Sequence, residues 1–104
     1  MKLDKLTVKS QEILQSAHDM ARKYGNQAME PVHFLKAMLE DDQGVAVSIL
    51  QKIGTAIPEV RKGVDLAIEK LVQVSGGDIY LSKESQKILD DAFSESRKMQ
   101  DQYF

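Results

Sequence analysis

Residues 81–102 of the chain repeat residues 6–27. The pairs Leu6/Leu81, Ser10/Ser85, Gln11/Gln86, Ile13/Ile88, Leu14/Leu89, Ala17/Ala92, Arg22/Arg97, Lys23/Lys98 and Gln27/Gln102 are identical, nine of 22 positions, and Thr7/Ser82 and Asn26/Asp101 are close in kind. Repetition at one long spacing implies two copies of a supersecondary unit, each with an apolar face that the other helps to cover. Within 104 residues the second copy has room only for its first element. The expectation is therefore residues 1–74 as one repeat, 75–81 as a linker, and 82–104 as the opening helix of a second repeat. A chain of this length forms one small domain with a single core.

The apolar spacing predicts helices throughout. Ile13, Leu14, Ala17, Met20, Ala21 and Tyr24 mark an amphipathic helix from about Thr7 to Tyr24, with Thr7 as N-cap and Gly25 as a left-handed stop. Glu30-Pro31 opens a second helix carrying Phe34, Leu35, Met38 and Leu39 on one face, and Asp41-Asp42-Gln43-Gly44 ends it. A third helix is expected over Val45 to Ile53, closed by Gly54, and a fourth from Pro58 with Val60, Val64, Ala67, Ile68 and Leu71. Ser75-Gly76-Gly77-Asp78 reads as a turn, after which Ser82 caps a fifth helix that ends near Tyr103-Phe104. No segment alternates with period two, so the fold class is all-α.

Charge and composition exclude several functions. Lys and Arg number 14 against 16 Asp and Glu, a net charge of −2 with the signs interspersed. That balance does not supply the basic stripe with which a nucleic-acid domain neutralises phosphates. A helix-turn-helix reading, with Pro31–Glu40 and Val45–Ile53 flanking the Gly44 turn, offers only Gln51 and Lys52 as readers of DNA. The chain has no cysteine, hence no disulfide and no thiolate metal site. His18 and His33 lie on separate predicted helices without the ligand spacing of a metal centre, and His33 is expected to hydrogen-bond locally at its helix start. The longest apolar run, Val45 to Leu50, is far short of the ~20 residues that span a bilayer. Met1-Lys2-Leu3-Asp4-Lys5 lacks the apolar core of a signal peptide, so the expected location is the cytoplasm. There is no Gly-x-x-x-x-Gly-Lys-Ser/Thr loop, and no serine lies in a nucleophile elbow. The chain is not expected to be an enzyme or to hold a cofactor.

Met1-Lys2-Leu3-Asp4-Lys5-Leu6-Thr7, the stretch Gly25 to Glu40 with its Asn-Gln-x-x-Glu-Pro-x-His core, and Leu50-Gln51-Lys52-Ile53-Gly54 resemble the N-terminal domain of ClpB-type disaggregases of the Clp ATPase family. The resemblance runs through the whole chain. It implies a pseudo-twofold pair of four-helix repeats carried on flexible linkers above a hexameric ATPase ring, with ATP and Mg needed only by the full-length parent. It also implies a role: engaging unfolded or aggregated polypeptides and passing them to the ring. Domains of the ClpA and ClpC type are similar, which keeps docking of an adaptor protein as the alternative.

Three residues take candidate substrate-binding roles from the resemblance. Thr7 matches a position near the groove between the repeats, beside its ordinary reading as a helix N-cap. Leu89 matches an apolar groove position, beside its reading as a core residue of a helical stripe. Asp101 matches an acidic groove position, beside its reading as a solvated charge near a helix end. Asp91 departs from the family, which carries leucine there. The open apolar face of the fifth helix is expected either to pack back on the first repeat or to pair with another copy, giving a monomer or a swapped dimer.

Overall fold

The computed structural model describes residues 7–74 and 76–103, with side chains described up to Glu95 and at Arg97 and Lys98. Five helices follow one another: α1 (Val8–Lys23), α2 (Pro31–Leu39), α3 (Val45–Lys52), α4 (Ile57–Glu69) and α5 (Lys83–Tyr103). The expected all-α class holds, and the helix boundaries fall within a residue or two of those read from the apolar spacing. α1 stops where Gly25 takes φ +73°, a left-handed conformation that a Cβ would strain, and Gly54 ends α3 in the same way at φ +81°.

Two strands of two residues each add to the helices. β1 (Ala28–Met29) pairs in parallel with β2 (Tyr80–Leu81), Ala28 opposite Tyr80 and Met29 opposite Leu81. The sequence alone places Tyr80 and Leu81 in the linker. Two residues are too few to show any periodicity, and the partner lies some fifty positions away, so no local signal marks the pair.

The core is built by α1 to α4. Met20, Ala37, Leu39, Val47, Ile57, Val64 and Ile68 form one buried cluster, and half-buried Ile13, Tyr24, Val32, Leu35, Leu50 and Val60 pack against it. Helix α2 lies at its centre, with its main partners in α1 and α4. Polar ties fix the rim. Lys36 is bonded to Asp65 across α2 and α4, and this hydrogen bond holds its ammonium above the usual lysine range. The Arg61 guanidinium donates to the Leu39 carbonyl at 2.8 Å and to Asp42 at 2.7 Å, satisfying a carbonyl at the end of α2.

The Asn-x₆-His pair of the sequence forms a buried polar link. The Glu30 N–H donates to His33 Nδ1 at 2.8 Å, which places the ring proton on Nε2, and Nε2 meets Asn26 Oδ1 at 3.0 Å. Asn26 Nδ2 then donates to the Val72 carbonyl at 3.2 Å. His33 thus orients the start of α2, as expected, and through Asn26 it also ties that start to the chain leaving α4. Desolvation pushes the His33 pKa below 6.5, against a smaller opposing pull from Glu30.

Candidate functional site

The two copies of the repeated motif start their helices in the same way. Thr7 Oγ1 accepts from the Ser10 N–H at 3.1 Å, and Ser82 Oγ accepts from the Ser85 N–H at 3.1 Å. Each cap hydroxyl also donates to the next serine hydroxyl, Thr7 to Ser10 at 3.0 Å and Ser82 to Ser85 at 3.1 Å. The first helical bonds match as well, Gln11 N–H to the Thr7 carbonyl at 3.0 Å and Gln86 N–H to the Ser82 carbonyl at 2.9 Å. The cap hydrogen bonds of the two copies therefore match one for one.

The second copy is anchored to β1. The Ser82 N–H donates to the Met29 carbonyl at 3.1 Å, and Ser85 Oγ donates to the same carbonyl at 2.8 Å. With β1 and β2 paired just before it, the start of α5 lies against the entry to α2. From there α5 leaves an open groove between itself and helices α1 and α2.

That groove encloses about 740 Å³. Thr7, Ser10, Ile13 and Leu14 line it from α1 and its cap, Pro31, Val32, Phe34, Leu35 and Met38 from α2, and Ser85, Ile88, Leu89, Ala92 and Phe93 from α5. Among the described residues, hydroxyls are the polar side-chain groups of the lining and none of the lining residues is charged. These described walls present no metal-ligand set and no acid, base or nucleophile pair. What they can do is desolvate apolar side chains, at roughly 25 cal/mol per Å² of apolar surface removed from water.

Two of the three residues singled out from the sequence, Thr7 and Leu89, line this groove. Thr7 is also the N-cap of α1, and capping does not remove it from the groove lining. The third, Asp101, is on α5, and its side chain lies outside the described residues. Asp91, the departure from the family pattern, lines no part of the groove. Its carboxylate takes a hydrogen bond from Lys87 at 2.9 Å, with both side chains exposed to solvent. Asp91 therefore adds no charge to the described lining of the groove. Sequence reasoning missed Ile13, Phe34, Met38, Ile88 and Phe93 as lining residues. The signal for Ile13 and Ile88 was present in the repeat, since they precede Leu14 and Leu89 in both copies.

Two other features differ in character. A polar hollow of about 460 Å³ lies beside His18, Arg22 and the Gly76-Gly77 turn, and His18 Nδ1 has no hydrogen-bond partner there among the described residues. On α3, the side chains at i, i+4 and i+8 form an exposed aliphatic ridge, Val45 at 76%, Ile49 at 53% and Ile53 at 69% exposure. Among the described residues no three His, Cys, Asp or Glu side chains gather as a metal site. No helix among them is long and apolar enough to cross a membrane.

Comparison with known proteins agrees with this architecture. The family model of the Clp repeat (R) N-terminal domain matches residues 5–104. Chaperone protein ClpB of Porphyromonas gingivalis is 39% identical over 103 residues, and that of Bacillus cereus 35% identical over 108. Each match covers 99% of this chain and 12% of the relative, so the chain spans about an eighth of the length of these curated relatives. A solved chain described under "Preliminary structural investigations of a malarial protein secretion system" superposes with a TM-score of 0.74 at 20% identity, over 90% of this chain and 65% of that one. At that identity the likeness concerns the fold. With a family model covering nearly the whole chain and ClpB N-terminal regions similar along it, the protein belongs to the Clp repeat N-terminal domain family.

Proposed function

We propose that this chain is the non-catalytic docking module of a ClpB-type disaggregase, and that it holds apolar segments of unfolded or aggregated polypeptides in the groove between α5 and the first repeat. The observation that carries the reading is the apolar lining of a groove open to solvent, with no charged side chain among its described residues. Unfolded chains expose apolar side chains in many sequences, and such a surface accepts them without demanding one pattern. Thr7 and Leu89 contact the client in this reading, and Asp101 selects among polar flanks. Each docking event is weak, and six copies on a hexameric ring raise the local concentration of sites. Residues 1–74 act as the first repeat and 82–104 as the first helix of a second, with ATP and Mg used by the ring of the parent and not by this module. The chain acts in the cytoplasm, binds no nucleic acid, and by itself is a monomer or a dimer that exchanges α5.

Titration of the nitrogen-labelled chain with a permanently unfolded protein tests this. Amide shifts clustered at Thr7, Leu89 and their groove neighbours are expected, and Leu89→Ser is expected to weaken binding at least about fivefold. Absence of shifts in the groove, or equal shifts on adding a short DNA duplex, would overturn the reading.

A second reading, docking of a folded adaptor, draws on a separate surface. The exposed ridge of Val45, Ile49 and Ile53 has the spacing of a helix-packing stripe. Saturable one-to-one binding lost in Ile49→Asp, with the groove resonances unmoved, would favour it.

A further inference from the structure

We infer that His33 is the positioning residue of the α5 wall: its neutral ring holds the peptide that anchors α5, and protonation of the ring loosens that anchor. The basis is one peptide group. The Met29 carbonyl accepts from the Ser82 N–H at 3.1 Å and from Ser85 Oγ at 2.8 Å, and the N–H of the same unit, that of Glu30, donates to His33 Nδ1 at 2.8 Å. A trans peptide group is planar, so its carbonyl and N–H point opposite ways and turn together. The α5 cap and the imidazole therefore hold the two edges of one rigid plate. Around that plate β2 pairs with β1, and α2 is the main helical neighbour of α5.

The bonds on either side of the plate run in one sense. Ser82 Oγ donates to Ser85 Oγ at 3.1 Å, Ser85 Oγ to the Met29 carbonyl, the Glu30 N–H to His33 Nδ1, His33 Nε2 to Asn26 Oδ1 at 3.0 Å, and Asn26 Nδ2 to the Val72 carbonyl at 3.2 Å. Bonds arranged head to tail polarise one another, more so away from water, and Ser82, Ser85, Met29, Asn26 and His33 are all buried. The relay needs an acceptor at Nδ1. Protonation places a hydrogen there that faces the Glu30 N–H, donor against donor. Turning the plate to relieve that opposition draws the Met29 carbonyl away from both α5 donors. By reciprocity, whatever frees α5 makes the ring easier to protonate. Glu30 is the charged group that acts on the ring, favouring its protonation, while burial opposes it more strongly. His18 and Arg22 of α1 and Asp78 before β2 line the hollow that Asn26 also borders. The relay members after α4 and on α5, the Val72 carbonyl and two serine hydroxyls, carry no charge. None of this depends on what occupies the groove.

Histidine ring titrations followed by NMR test the coupling, with His18 resolved by its own resonances. Ser85→Ala removes one donor to the Met29 carbonyl and is expected to raise the proton affinity of His33 at least about twofold. Ser10→Ala makes the same truncation in the other copy, where the hydroxyl oxygen accepts from Thr7 at the α1 cap, and is expected to leave that affinity unchanged. Amide exchange at 86–89, corrected for its intrinsic pH dependence, is expected to lose at least about threefold in protection relative to α4 between about pH 7.5 and about pH 5. His33→Gln keeps an acceptor within reach of the Glu30 N–H but does not titrate, and it is expected to remove that loss. An unchanged His33 titration in Ser85→Ala, or one that moves equally in Ser10→Ala, would overturn the inference, and so would an undiminished loss of protection in His33→Gln. Should His33→Gln fail to fold, the paired serine variants decide. Client docking is decided separately, by the groove titration.

Discussion

Helices α1 and α5 begin with the same motif, the same cap and the same first hydrogen bonds, yet their apolar faces meet different fates. Ala17 of α1 is completely buried, whereas its counterpart Ala92 on α5 is exposed. Ile13 is half-buried against the core, and Ile88 remains 54% exposed. Local sequence thus determines where a helix starts and which face is apolar. What that face does depends on neighbours supplied by the rest of the chain: α2 covers much of the face of α1, while α5 keeps its own for the groove.

Substitution of the paired alanines gives the largest contrast. Ala17→Asp buries an unpaired carboxylate and is expected to cost about 3–5 kcal/mol in urea unfolding, whereas Ala92→Asp is expected to stay within about 0.5 kcal/mol. Equal costs would mean that α5 is as buried as α1. Next comes the buried link of the first repeat. Asn26→Ala leaves His33 Nε2 and the Val72 carbonyl without their partner and is expected to cost about 1–3 kcal/mol.

The same link gives a pH dependence. Because the folded pKa of His33 lies below 6.5, the unfolded chain binds more protons in that window. The stabilisation is complete above the unfolded value and is lost as pH falls toward the folded one. Urea midpoints at about pH 7.5 and about pH 5 are expected to separate, and His33→Gln is expected to narrow the gap. An unchanged gap in the variant would assign the dependence to other groups.

The twin caps give a smaller contrast. Ser82 is buried and Thr7 exposed, so Ser82→Ala is expected to cost about 1–2 kcal/mol and Thr7→Ala about 0.5–1 kcal/mol. Amide exchange should accelerate mainly in α5 for the former and in the first turn of α1 for the latter. The smallest effect is expected at the exposed Lys87–Asp91 pair, where Lys87→Met should leave the urea midpoint unchanged within error, since solvated i,i+4 pairs contribute little.

Much of this molecule is legible from its residues because the signals are local. Thr7 and Ser82 as caps, Gly25 and Gly54 as stops, and Pro31 at the head of α2 each act within one helical turn. The apolar spacing also assigns Met20, Val64 and Ile68 to the core correctly. The groove was only partly legible, since its walls are separated by most of the chain. Leu89 reads the same whether it is buried or open, and only the placement of α5 decides between the two. Phe34 and Met38 share a helix with core residues, and no sequence pattern says which side of α2 is left uncovered. The β1–β2 pair was invisible for the same reason.

That small ladder also sets how the chain would carry tension. A pull on the two chain ends reaches β1 from its N-terminal side through α1 and reaches β2 from its C-terminal side through α5. Because the strands are parallel, these forces slide one strand along the other, and the bonds from the Tyr80 N–H to the Gln27 carbonyl and from the Ser82 N–H to the Met29 carbonyl are loaded together instead of opening in turn. Ser85 adds a third tie to the Met29 carbonyl. A few bonds so placed act as a shear clamp, and the α2 to α4 segment enclosed between the strands is shielded from load until the clamp gives way.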